Sequence, residues 1–420
     1  AATRADKPTT TISKVRIQAT ASFPGTCATD PTAQIRLYWS VQNPYVWHQI
    51  ATTPGQTSVD TTVDVLATGD LDSELYWRAD FLSSKDTCQP VLNQLTPGTH
   101  AKKTAFFSTG AEAVENAIKI ARAHTKRAGV IAFGGAFHGR SLFAVALTGK
   151  VQPYKAGFGP FPPEIYHAPF PCHCASLDET KKAVAQLFKV DIEASRVAAI
   201  VFEPVQGEGG FNVIQPGAVR WLRELCDQHG IVLVADEVQS GFGRTGHLFA
   251  MEHFGVVPDL LVSAKSLAAG LPLSAVTGRA EIMDAPAPGG LGGTYAGNPM
   301  AIAAAHAVID IMADEQLPAR GARLGDALKA RLEALRPRVP QIHDVRGLGA
   351  MVAVEFRRPG GAEPDADFTR RVQAQALQRG LILLSCGVDA NVLRFLFPLA
   401  VPQPVFDEAL DILADSLTSA

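Results

Sequence analysis

Two residues carry chemistry that the rest of the chain must place. They are Lys265, at the centre of AKSLAAG, and Asp236, in the acidic turn VADEVQSGFGRTG that starts at Val234. A lone lysine behind an apolar run is ordinarily a solvated surface charge, so its surroundings have to argue for more. Ile231 to Ala235 form a short β-branched run without polar alternation, the pattern of a strand buried on both faces. That run ends in Asp236 and Glu237. Open α/β sheets bind ligands beyond the carboxyl ends of their parallel strands, so a carboxylate there faces a crevice. A second apolar run, Leu260 to Val262, delivers Lys265 to a neighbouring strand end.

An amine and a carboxylate facing one crevice suit pyridoxal 5'-phosphate. The lysine forms a Schiff base, and the carboxylate keeps the pyridine nitrogen protonated so that the ring acts as an electron sink. At these residues the sequence resembles the class III, fold-type I aminotransferases, and within them those acting on 4-aminobutyrate. The resemblance runs from about Thr96 to the C-terminus, with several motifs in the family's order. Residues 1–95 do not share it.

Phosphate needs backbone N–H donors at a helix start, and Ser108-Thr109-Gly110-Ala111 offers them. Any strand-to-helix turn favours such residues, but Gly110 and Ala111 also match the family. In GGLGGTYAGNP, Thr294 resembles the threonine that the family donates to the phosphate from the partner subunit. This implies a homodimer, or a higher assembly, with shared active sites. Phe137, in AFHGR, resembles the aromatic stacked on one face of the ring, and Val238 the aliphatic on the other. Asp236 would pair with the ring nitrogen and Gln239 would reach the phenolic oxygen. Plain core packing is the alternative for Phe137 and Val238, and a helix cap for Asp236.

Planar guanidinium forks suit carboxylates. Arg140 resembles the residue that takes the distal carboxylate, and Arg394, in NVLRFLFPL, the one that takes an α-carboxylate. An arginine amid apolar strand residues needs a partner, and Glu208, in EPVQGEGG, is the one implied. With 4-aminobutyrate, Glu208 would keep Arg394 neutralised; with glutamate or 2-oxoglutarate it would yield. The resemblance therefore implies amino transfer from 4-aminobutyrate, or a related ω-amino acid, to 2-oxoglutarate, giving succinate semialdehyde and glutamate. The enzymatic alternatives are an ornithine- or acetylornithine-type aminotransferase and a fold-type I racemase. Outside catalysis stands a PLP-fold protein that binds a partner through its N-terminal segment.

Composition agrees with small amino and keto acids as partners. A net charge of −3 without blocks of like charge argues against nucleic acid or a membrane surface. No apolar stretch approaches the roughly 18 residues of a spanning helix, and AATRADKPTT has no apolar signal core, so a cytoplasmic protein is expected. Six cysteines in 420 residues point to reduced thiols. Cys172-His173-Cys174 lacks a second ligand pair at zinc spacing, so no metal is expected.

Positioning these groups takes more than one unit. Residues 1–95 alternate apolar and polar in Val15, Ile17, Ala19, in Ile35, Leu37, Trp39, Val41, and in Leu75, Trp77, Ala79, Phe81. Turn-forming clusters separate these runs, so an atypical β-rich segment of short antiparallel strands is expected. Residues 96–305 alternate buried-strand runs with helical patterns, an α/β domain with a mainly parallel sheet covered on both faces. Residues 306–420 read as a smaller α+β domain. It has helices to about 315 and over 317–335 and 367–379, and strands at 351–356, 381–384 and 392–397.

Overall fold

The computed structural model describes residues 91–173 and 175–420, together with the backbone of five strands in the first ninety. The chain divides into two compact units, 1–90 and 91–420. In the first, Lys14–Thr20 pairs antiparallel with Ser58–Asp64, and Gln34–Val41 lies between His48–Ile50 and Leu75–Leu82, antiparallel to both. The three alternating runs of the sequence fall on three of these strands. Cys27 and Cys88 lie outside the described residues.

The second unit is built on a seven-stranded sheet. Its strands are β1 (Lys102–Phe107), β2 (Gly129–Phe133), β3 (Ile165–Ala168), β4 (Val197–Phe202), β5 (Val232–Asp236), β6 (Leu260–Ser263) and β7 (Ser274–Arg279). Their order across the sheet is β1-β7-β6-β5-β4-β2-β3. The contiguous run from β6 to β3 is parallel, and β7 is antiparallel to both its neighbours. The sequence reading missed β7, whose SAVTGR offers only Ala275 and Val276 as an apolar signal although most of it is buried.

Alternation along the central strands feeds two cores. Val130, Ala132, Val201, Val234 and Val262 pack with Val114, Ala117, Ile118 and Ala121 of the helix Gly110–Thr125. Ile131, Phe133, Phe202, Leu233 and Ala235 point the other way, toward Val184, Ala218, Val219 and Leu222 of the helices Leu177–Val190 and Pro216–His229. Both faces are dry, which is why these strands read as unbroken apolar runs.

Beyond the helix Pro299–Asp314 comes a four-stranded antiparallel sheet. Its order is Ile342–Leu348, Met351–Phe356, Val392–Phe395, Leu384–Cys386, covered by the helices Leu317–Leu335, Ala366–Gln378 and Gln403–Ser419. The strand expected at 381–384 forms later, at Leu384–Cys386. Ile342–Leu348, interrupted by Asp344, Arg346 and Gly347, was not anticipated. No helix among the described residues is long and apolar enough to cross a membrane.

Cys226 and Cys386 are free and buried. Cys172 is disulfide-bonded, which corrects the expectation of reduced thiols at that position.

Candidate active site

The carboxyl ends of β5 and β6 open onto a cavity of about 390 Å³. Nine residues singled out in the sequence line it: Gly110, Ala111, Phe137, Arg140, Glu208, Asp236, Val238, Gln239 and Lys265. Two do not. Arg394 stands behind Glu208, and Thr294 is exposed on a turn away from the cavity of its own chain.

Lys265 follows β6 at φ 47, in the left-handed region that costs a residue with a Cβ about 1 kcal/mol or more. Such strain at a cavity wall fits a side chain held in place for use. Lys265 lines the cavity and is exposed within it, yet protein packs closely around its side chain. That burial lowers its pKa from the ordinary 10.5, against the opposing pull of Asp236, Glu203 and Glu208.

Asp236 is nearly inaccessible, at 4% exposure. Its Oδ1 accepts from Val238 N at 3.0 Å, and its Oδ2 lies 2.7 Å from His138 Nδ1. Burial works against charge on His138, but the bond to Asp236 and the Asp236 and Glu203 carboxylates outweigh it and raise its pKa. Beside them, Glu203 accepts from Phe137 N at 2.9 Å and Gly207 N at 3.0 Å. Burial lifts its carboxyl to about 7.

The helix Gly110–Thr125 starts at the cavity rim. Thr109 caps it, accepting from Glu112 N, while the Glu112 carboxylate takes Ser108 N and Thr109 N. Gly110 and Ala111 come next as first-turn residues whose N–H groups no helical carbonyl takes. Gly110 allows a close approach, since a Cβ there would sit 3.1 Å from Val238 Cγ1, tighter than ordinary contact. Gly139 does too: at φ 137, a Cβ would lie 2.7 Å from Ala111 Cβ, so glycine lets the Phe137–Arg140 loop press against the helix start.

Opposite, Arg394 on the small sheet donates to Glu208 Oε1 at 2.5 Å. Arg140 has no ion-pair partner among the described residues, and its guanidinium lies 5.5 Å from the centre of the Tyr154 ring.

These residues fit pyridoxal phosphate. The helix start offers an anion site, Phe137 and Val238 line the cavity between which a ring could lie, and Asp236 waits as a buried carboxylate for a cationic nitrogen. Gln239 Oε1 is buried without a hydrogen-bond partner, an orphan that a bound polar group would satisfy. The sequence reading missed His138, Glu203 and Tyr154. His138 and Glu203 lie inside motifs already singled out, AFHGR and EPVQGEGG, whereas nothing in the sequence around Tyr154 marks it.

His173, Asp344 and Glu355 come within 4.8 Å of one another elsewhere. Their carboxylates are already engaged by Arg346 and Arg357. Burial would raise the Glu355 pKa, but His173 and the two arginines hold it well below the usual carboxylate range. The trio is an ion-pair network.

The family model described as aminotransferase class-III matches residues 75–417. The chain belongs to the class III aminotransferases. Among relatives of this aminotransferase, the 4-aminobutyrate aminotransferase of Escherichia coli is 53% identical over 333 residues, covering 79% of this chain and 78% of the relative. A 5-aminovalerate aminotransferase of Pseudomonas putida is 52% identical over 332 residues, with the same two coverages. Among solved structures, a transaminase from the marine bacterium Virgibacillus superposes with TM-score 0.74 at 27% identity, over 78% of this chain and 77% of that one. The ornithine aminotransferase of Toxoplasma gondii does so with TM-score 0.66 at 33% identity, over 76% and 73%. The family match begins at residue 75, upstream of the motifs that start near Thr96.

Proposed function

We propose that this aminotransferase moves the amino group of 4-aminobutyrate, or of a related ω-amino acid such as 5-aminovalerate, to 2-oxoglutarate. With 4-aminobutyrate the products are succinate semialdehyde and glutamate. The observation that carries this reading is Glu208, held on Arg394, lining the same cavity as Arg140, which has no ion-pair partner among the described residues. An ω-amino acid needs one guanidinium for its carboxylate and no cation at its reacting carbon. Arg140 supplies the first, and Glu208 cancels the second.

When bound, pyridoxal phosphate supplies the electron sink for labilising the substrate's C–H bond. Gly110 and Ala111 would hold its phosphate, and Asp236, oriented by His138, would keep the pyridine nitrogen protonated. Phe137 and Val238 would bracket the ring, and Gln239 would meet the phenolic oxygen. Lys265 would be the acid-base group that takes the proton from the substrate's reacting carbon. Its lowered pKa suits that task, because more of the amine is neutral at working pH. Glutamate and 2-oxoglutarate require Glu208 to swing away so that Arg394 can bind the α-carboxylate.

A homodimer belongs to this proposal. Thr294 is followed by exposed Tyr295 and, six residues on, by exposed Met300, at 78% and 72% exposure, apolar groups that a second copy would cover while lending Thr294 to its phosphate. The organisation into a segment at 1–95, a large domain at 96–305 and a small one at 306–420, and a cytoplasmic location, are part of the same reading.

The deciding experiment tracks the visible absorption of the cofactor-loaded protein. Adding 4-aminobutyrate without a keto acid should remove the band of the lysine-bound cofactor, and 2-oxoglutarate should restore it. A band that responds to ornithine but not to 4-aminobutyrate would shift the assignment to ornithine. One that ignores every amine would leave a cofactor-binding protein without transamination.

A further inference from the structure

Glu208 has two carboxylate oxygens, and each has its own partner. Oε1 accepts from Arg394 Nη1 at 2.5 Å, and Oε2 accepts from the Tyr154 hydroxyl at 3.1 Å. Tyr154 sits in the loop between the helix Leu142–Leu147 and β3. Its ring also packs on Phe137, with 4.9 Å between centroids at 60°, and carries the Arg140 guanidinium at 5.5 Å. One half-buried side chain thus touches an aromatic of the cofactor wall, the Arg140 guanidinium and the carboxylate that covers the other arginine. The loop is tied down on both sides of the ring. Lys150 Nζ donates to Gly387 O at 2.7 Å and Lys155 Nζ to Ala146 O at 3.1 Å. Gly387 N in turn donates to Glu208 O at 3.0 Å, so Glu208 and the Tyr154 loop share an anchor on the small sheet.

We infer that Tyr154 is a positioning residue that sets donor specificity by holding Glu208 on Arg394, favouring amines without an α-carboxylate over α-amino acids. The inference rests on the proposed transamination. A hydrogen bond donated to a carboxylate is charge-assisted and stronger than a neutral one. When Glu208 leaves Arg394 it gives up both donors, so an incoming α-carboxylate has to overcome Tyr154 as well as the arginine. Burial, then the Glu208 carboxylate, pushes the Tyr154 hydroxyl up to about 12, so it remains a donor throughout the working range. The contact with Arg140 steadies the guanidinium for the distal carboxylate, so closing the α-side leaves the other end ready.

Tyr154→Phe keeps the ring contacts and removes only the hydroxyl. Two measurements on the cofactor-loaded enzyme test it. In calorimetric titrations, glutarate spans both arginines and butyrate meets only Arg140. The variant should bind glutarate about tenfold more tightly and butyrate as before, the scale of one hydrogen bond to a charged group. In single half-reactions, the ratio of the rate with 4-aminobutyrate to that with glutamate should fall by about the same factor. In a Glu208→Ser background, Tyr154→Phe should leave that ratio where it was, because the group it holds is gone. Equal changes for both acids, no change for either, or an effect that persists without Glu208 would overturn the inference. A wild-type enzyme that reacts with neither donor would sink the transamination reading, while the glutarate and butyrate titrations would still decide for or against Tyr154.

Discussion

The two sides of the cavity are built differently. On the cofactor side, Asp236 and Lys265 issue from the ends of adjacent parallel strands, with dry cores above and below. Their geometry is inherited from the sheet. On the substrate side, Arg140, Glu208 and Tyr154 lie on loops and Arg394 on the small sheet; hydrogen bonds join Glu208 to Tyr154 and Arg394, and Arg140 lies over the Tyr154 ring. A rigid face suits a cofactor that stays. A face of exchangeable ion pairs suits alternating substrates with and without an α-carboxylate.

Removing the amine should break the rigid side most severely. Lys265→Ala should lower turnover by at least the roughly 10²–10⁴-fold of a lost acid-base group, while cofactor binding persists in part through the phosphate and ring contacts. Single-turnover kinetics and a cofactor-binding titration would check this; near-normal transamination would remove Lys265 from its role.

Asp236→Ala attacks the same side through stability. It leaves His138, which has 0% side-chain exposure, without its carboxylate. Breaking such a buried pair costs roughly 3–5 kcal/mol. Thermal unfolding should show a large loss together with weaker cofactor binding, and an unchanged midpoint would mean that the pair is not coupled to the fold.

On the substrate side a comparable change should redistribute activity rather than abolish it. Glu208→Ser should slow the 4-aminobutyrate half-reaction about tenfold more than the glutamate half-reaction, because only the former leaves Arg394 without a countercharge. Equal losses would remove the distinction between the two sides.

The smallest effect is a dependence on pH. Burial raises the Glu203 carboxyl from an ordinary 4.5 to about 7, so the folded chain holds a proton that the unfolded chain releases between those values. The stability from this group is complete below about 4.5 and is lost as pH rises through about 7. Glu203→Gln should flatten the fall of the unfolding midpoint across this window by a few degrees. An identical pH profile in the variant would mean that Glu203 ionises normally.

Local pattern determined the cofactor side. Buried parallel strands need continuous apolar runs, and the residues just past their ends are legible as a site: Asp236 after IVLVA, Lys265 after LLVSA, Gly110 at a helix start. The long helices and the strand Met351–Phe356 were legible through the same periodicities. Strands β3 and β7 were not, because pairing within the sheet stabilises them more than their own residues do.

Only the tertiary structure decided who meets whom across the cavity. Nothing along the chain puts Tyr154 beside Glu208, or His138 behind Asp236. Thr294, legible as a motif, is not brought to the cavity of its own chain. Periodicity reports how each segment meets a core, because burial is a property of the segment. A hydrogen bond between two loops depends on where the whole fold sets them down, and that information is spread over every strand that holds them apart.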